Sequence, residues 1–256
     1  MHAPRVSASL IITAPLAASL ATPASSNYRV LMVKRVAHGA FAHALVFPGG
    51  TQEPQDSGPL CCALRETLEE TGLHLPNIPA QPLGRWLTPR AQPRRFDTRF
   101  FLLTIGHTHR EALQQLDRAR PQMGELEDVR WVRPAEVLAW NRRGEMPLFP
   151  PQFCVLLEMS RVARWQELAD GLRHLDAGRA VEPVLCQRSD GRVVAVMPGD
   201  WAYPVVGPDD PMRVADGHLF GEAGALNRLV MERAAAGGFN NIRLLRTAAG
   251  RPGALD

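Results

Sequence analysis

FPGGTQEPQDSGPLCCALRETLEETGL, residues 47–73, is the stretch around which this chain is organised. Its second half, Arg65-Glu66-Thr67-Leu68-Glu69-Glu70-Thr71-Gly72-Leu73, sets one arginine and three glutamates within six residues. Residues three and four apart on a helix share a face, so Glu66, Glu69 and Glu70 converge on one stripe. Carboxylates so placed repel one another unless a cation sits among them, and all-oxygen ligation suits a hard divalent ion, Mg²⁺ or Mn²⁺. The flanks predict where the helix begins and ends. Ser57 or Gly58 can cap it, Pro59 fits its first position, and Gly72 fits the left-handed stop. About thirteen residues then give a rod of roughly 20 Å. Cys61, Cys62, Leu64 and Leu68 offer an apolar docking stripe. Arg65 lies one turn before Glu69, where it can orient that carboxylate. Upstream, the paired Gly49 and Gly50 let the backbone approach a bound phosphate or metal.

This stretch resembles the Nudix box, in which a glycine and an upstream acid precede the run R-E-U-x-E-E-x-G-U, with U aliphatic. Arg65, Glu66, Glu69, Glu70, Gly72 and Leu73 match it position by position. Thr67 stands where the family has an aliphatic residue. Counting from Gly50, the upstream acid is Asp56, and one extra residue separates it from Arg65. A single insertion before the helix accounts for that spacing and leaves the helical carboxylates in phase.

The resemblance implies an α/β (α+β) fold, an α/β/α sandwich with a mixed sheet and the box as a loop–helix–loop at its edge. It implies hydrolysis of a nucleoside diphosphate linked to another moiety. Glu69 and Glu70 would be the principal metal ligands, and Glu66 a third ligand or, through a water, the general base. Arg65 would support them. A carboxylate from outside the helix often completes such sites, and Glu125 and Glu127 are the candidates, with Glu125 preferred. Arg35 at the end of a strand, and the Arg94-Arg95 pair at the mouth of another, are candidate phosphate contacts beside Gly50, since forked guanidinium donors match phosphate oxygens. Phe96 is a candidate for stacking on a base.

The likeness continues through RWLTP, PRRFDTRFFL, DVRWVRPAEVLAW, LFPPQF and MPGD, in that order. That series is similar to the acyl-coenzyme A diphosphatase subgroup, which makes coenzyme A or its thioesters the expected substrate. Dinucleotides, nucleotide sugars and capped RNA are the alternatives, and a non-catalytic nucleotide-binding module is a further one.

Composition is that of an ordinary globular chain, with 45% apolar and 21% charged residues among 256. A net charge of +3 gives no basic stripe for a nucleic-acid backbone, so nucleic acid is disfavoured as a partner and a small nucleotide diphosphate is favoured. Lys34 is the sole lysine. The four cysteines show no metal spacing. No apolar run reaches the length of a membrane span. The expected setting is intracellular, cytoplasmic by default, because no clear mitochondrial or peroxisomal signal is read. Oligomeric state is not legible.

Strands are expected over 5–13 and 28–35, a small-residue loop over Ala14–Asn27, and a proline-rich connector over Leu75–Pro82. A strand follows within 93–103, then a helix from His109 to Ala119. Glu125–Val132 reads as a strand in which Val129 and Trp131 are out of phase with Leu126 and Val132. Helices follow from Pro134 and from Gln152 to Leu175. Arg188-Ser-Asp-Gly191 signals a hairpin, and Pro204–Pro211 reads as a loop. The expected organisation is a Nudix-type domain over 5–178 and a β-rich extension over 179–256 packed on it.

Overall fold

A computed structural model describes residues 3–16, 26–36, 43–75, 79–106, 109–175, 178–207, 213–214, 224–235 and 237–247. The strands are β1 (Arg5–Pro15), β2 (Tyr28–Arg35), β3 (Leu45–Val46), β4 (Gly49–Thr51), β5 (Ala80–Leu87), β6 (Phe96–Thr104), β7 (Leu126–Val132), β8 (Ala180–Val181), β9 (Val184–Gln187), β10 (Val193–Val196), β11 (Arg213–Val214), β12 (Asn227–Arg233) and β13 (Phe239–Arg246). The helices are α1 (Pro59–Thr71), α2 (Arg110–Leu116), α3 (Pro134–Arg142), α4 (Pro150–Ser160), α5 (Leu168–Gly171) and α6 (Tyr203–Val206).

The first sheet runs β3-β2-β1-β6-β5-β8, with β4 also on β1 and β7 also on β2. It is mixed, because β1 lies parallel to β6 and antiparallel to β2 and β4. Both faces of β1 are covered, which explains its unbroken apolar run. Leu10 and Ile12 face α1 and α2 with Cys62, Leu73 and Leu116. Ile11 faces the other way, with Val137, Phe153 and Leu156 of α3 and α4. This is the expected α/β/α sandwich. A second sheet, β11-β9-β10-β12-β13, follows. Its Val193, Ala195, Leu229 and Met231 belong to the same buried cluster as Ile11 and Leu156. Among the described residues no helix is long and apolar enough to cross a membrane.

The structure departs from the sequence reading in four places. The connector expected over Leu75–Pro82 ends in strand, since β5 begins at Ala80. Its Pro82 falls where the β5–β6 register shifts, a position that tolerates a missing N–H. Helix α4 starts at Pro150 and stops at Ser160, with both prolines in its first turn, where a missing N–H costs no helical hydrogen bond. Tyr203–Val206 forms a short helix that takes in the start of the expected Pro204–Pro211 loop. Lastly, the phase conflict in Glu125–Val132 comes from a bulge. Lys34 pairs with Asp128 and Arg35 with Leu126, so Glu127 is extra and resets the alternation. Most of the expected Ala14–Asn27 loop lies outside the described residues.

Candidate functional site

Helix α1 spans the thirteen residues Pro59–Thr71, with Pro59 in its first turn. Gly72 closes it at φ 72°, its N–H donating to the Leu68 carbonyl at 2.8 Å. Thr67 is fully buried, and its hydroxyl donates to the Ala63 carbonyl at 2.7 Å. That bond satisfies the polar atom and lets threonine stand in an aliphatic position.

Strand β4 brings the glycines to α1. Gly49 pairs with Ser9 and Gly50 with Ala8. Gly49 has φ 150°, and a Cβ there would fall 2.2 Å from the Ala8 carbonyl oxygen. A Cβ at Gly50 would meet the Glu66 carboxyl carbon at 2.3 Å. Any other residue at Gly50 would displace Glu66.

Glu70 is buried beside this turn, at 2% exposure. It accepts the Gly49 N–H at 2.9 Å and a bond from Arg35 Nη1 at 3.1 Å. Burial pushes its pKa up to about 7, opposed by the Gly49 N–H and Arg35 and reinforced by the charges of Glu66 and Glu125. Burial also raises Glu66, with Arg65 opposing it and Glu69 and Glu53 adding repulsion. Glu66, Glu70, Gly50 and Arg35 are thus gathered at one place, and Glu125 acts on it electrostatically.

Glu69 points elsewhere. Its side chain is 49% exposed and accepts from Arg65 Nη1 at 2.8 Å. Arg65 is the hub of the loop. It grips Asp56 with two bonds of 3.0 Å, donates to the Thr51 carbonyl at 3.1 Å, and lies 3.1 Å from Glu66. Asp56 thus reaches Arg65 despite the shifted spacing. The Arg65 guanidinium holds the Asp56 carboxyl below the usual carboxylate range. A depressed folded-state value means that the unfolded chain binds more protons, so the pair's stabilisation is present above about pH 4 and lost as pH falls further. Asp56→Asn is expected to flatten the acid limb of stability against pH, measured by urea midpoints between about pH 7 and about pH 3. An unaltered limb would refute that contribution.

The remaining expected residues divide. Glu127, in the bulge, is held by Lys34 at 2.6 Å and His43 at 3.0 Å. Arg95 is committed to Glu182 at 2.5 Å and to the Thr88 carbonyl at 3.0 Å, so it ties the start of β6 to the segment before β9 instead of standing with Arg94 as an open anion site. Arg94 and Phe96 line a cavity of about 680 Å³ that Arg35, Gly49 and Gly50 also line. Phe239 and Arg233 of the second sheet border the same cavity. No local pattern marks those two, because only long-range packing brings them there.

Among the described residues, no three His, Cys, Asp or Glu side chains already stand as a metal-holding group. The donor chemistry nonetheless fits a hard divalent cation. Burial raises both Glu66 and Glu70, the Glu66 charge adds to the rise at Glu70, and Glu66 occupies the space that glycine leaves at Gly50. A cation among them would relieve that repulsion.

A mixed sheet flanked by helices, with this acidic helix docked on a Gly-Gly strand, defines a Nudix-type domain, and a family model of the NUDIX domain matches residues 14–153. The chain belongs to the Nudix family. It is 33% identical over 160 residues to the human protein named Acyl-coenzyme A diphosphatase NUDT19, an alignment covering 59% of this chain and 37% of that protein. It is 25% identical over 227 residues to Putative nudix hydrolase 7 of Caenorhabditis elegans, covering 73% and 74%. The crystal structure of a NUDIX hydrolase from Alicyclobacillus acidocaldarius superposes with TM-score 0.55 at 23% identity, over 66% of this chain and 97% of that one, which shows the shared fold.

Proposed function

We propose that the protein is a metal-dependent diphosphatase that cleaves a nucleoside diphosphate linked to another moiety, with coenzyme A or acyl-coenzyme A as substrate. The observation that carries this reading is the buried Glu70 and the half-buried Glu66, set against Gly49-Gly50 where the box meets the large cavity. The name of the human relative supports the substrate class.

In this reading Glu66, Glu69 and Glu70 would hold Mg²⁺ or Mn²⁺. Bound there, the ion neutralises diphosphate charge and lowers the pKa of a water. The chain's own residues do the positioning. Arg35 and the Gly49 N–H fix Glu70. Arg65 anchors the loop through Asp56 and Thr51 and steadies Glu69. Glu66, raised by burial, would serve as the third ligand or, through a water, as the general base, and Glu125 adds negative charge beside Glu70. Preorganised groups of this kind supply most of the acceleration in phosphoryl chemistry.

The test is direct. Purified protein with Mg²⁺ or Mn²⁺ is expected to convert coenzyme A or an acyl thioester to an adenosine bisphosphate and a phosphopantetheine product, followed by mass spectrometry. Chelation of the metal is expected to stop the reaction, and its return to restore it. If coenzyme A stays intact while a dinucleotide or nucleotide sugar in the same panel is cleaved, the substrate assignment falls and the reaction class stands.

A further inference from the structure

The cavity beside the box is built by both sheets. Arg35, Gly49 and Gly50 line it from the first, and Arg233, Gly238 and Phe239 from the turn between β12 and β13. That turn is fixed. Phe239 and Leu148 exchange backbone hydrogen bonds of 3.0 and 2.9 Å. The Asn141 carboxamide donates to the Phe239 carbonyl at 2.7 Å and accepts the Ile242 N–H at 3.1 Å. Gly238, at φ 73°, leaves room for the approach, since a Cβ would come 3.2 Å from the Leu148 carbonyl oxygen.

Charge within the cavity has one sign. Arg35, Arg94 and Arg233 line it, and no acidic residue is among its described lining. Arg35 is engaged by Glu70. The Arg233 guanidinium lies 5.9 Å from the centre of the Phe239 ring, a cation–π contact. Arg94 and Arg233 add two guanidinium groups to the lining beside Arg35. A volume of about 680 Å³ suits a nucleotide-sized ligand.

We propose that the second sheet forms part of the substrate site and that Arg233, with Arg94, receives a phosphomonoester carried by the nucleoside half of the substrate, in addition to the diphosphate that is cleaved. This rests on the diphosphatase reading. Two guanidinium groups match the oxygens and the charge of a phosphate dianion, and no lining carboxylate opposes it. The segment after residue 179 is then a specificity element, and it selects nucleotides with an extra phosphate.

The experiment compares substrates that differ by one ribose phosphate: coenzyme A with dephospho-coenzyme A, and NADP with NAD. The wild-type protein is expected to show a higher kcat/KM for the phosphorylated member. Arg233→Gln is expected to lower that preference ratio about tenfold or more, the scale of a lost hydrogen bond to a charged group. Arg94→Gln should lower it in the same direction, and Arg233→Lys should restore part of it. A ratio that Arg233→Gln leaves unchanged overturns the proposal, as does a wild-type protein with no preference. Calorimetry separates this from the parent reading, because it needs no turnover. Adenosine 3′,5′-bisphosphate should bind the wild-type protein more tightly than adenosine 5′-monophosphate, and Arg233→Gln should erase the difference. Equal binding of the two nucleotides sinks the subsite, whereas absent hydrolysis of every diphosphate sinks the activity alone.

Discussion

Glu70→Gln is expected to reduce diphosphate turnover at least about 10³-fold, a loss of about 4 kcal/mol in transition-state stabilisation. The expectation follows from burial and partners taken together. Glu70 is 2% exposed, with the Gly49 N–H and Arg35 both directed at it. A carboxylate held in that way is positioned before any ligand arrives. Glutamine keeps the shape and one acceptor oxygen, so the fold should persist, while the negative charge that favours a cation is gone. The glutamine amide group leaves one of the two donors, the Gly49 N–H or Arg35, without an acceptor, so a modest loss of stability is expected. The measurement is kcat with the metal titrated to saturation, beside a thermal melt. Glu69→Gln should act in the same direction, because Arg65, which holds Glu69 at 2.8 Å, also lies 3.1 Å from Glu66 and keeps the two carboxylates together. Turnover within tenfold of wild type in both variants would remove these glutamates from the proposed metal site.

The second large effect is structural. Asp200→Ala is expected to destabilise the protein by about 3–5 kcal/mol, the range for breaking a buried ion pair from one side. Asp200 and Arg228 are almost completely buried, their side chains 0% and 2% exposed. The Arg228 guanidinium donates to both Asp200 oxygens, at 2.7 and 2.6 Å. The Ala202 and Asn227 N–H groups donate to the same carboxylate at 2.9 and 2.8 Å. Alanine would strand a buried guanidinium and two backbone donors. Chemical unfolding monitored by tryptophan fluorescence measures the loss. Replacing both partners by apolar residues should recover much of it, because desolvation of the pair disappears together with the attraction. A single-variant cost below about 1 kcal/mol would show that the pair is dispensable. The site is coupled to this pair through the backbone, since β12 runs from Asn227 beside Asp200 to Arg233 at the cavity. Asp200→Ala should therefore also loosen the turn at Gly238 and Phe239.

Much of this was legible in the chain. The spacing of Glu66, Glu69 and Glu70, the proline at 59 and the glycine at 72 determine a helix that starts at Pro59 and stops at Thr71. Such features act within one or two turns, where local geometry leaves few choices. The apolar runs at 5–13 and 28–35 likewise determine buried strands, the first of which continues to Pro15. The spacing between Asp56 and Arg65 looks irregular as a string, yet the loop absorbs the extra residue and delivers both bonds at 3.0 Å.

Tertiary structure decided the rest. Glu66 and Glu70 turn toward the Gly-Gly strand while Glu69 turns to Arg65, a division that helical periodicity does not contain, because it depends on what packs against each face. Arg94 and Arg95 are neighbours of the same type in sequence. One reaches the cavity and the other is held by Glu182, eighty-seven residues away along the chain. The bulge at Glu127 exists only as a mismatch between two strands. Arg233 and Phe239 carry no motif, and they meet the box solely because β13 docks on Leu148 and Asn141. Local chemistry determined the helix and its carboxylates. Contacts between distant segments, which no short pattern encodes, decided which of those carboxylates are buried and what closes the cavity beside them.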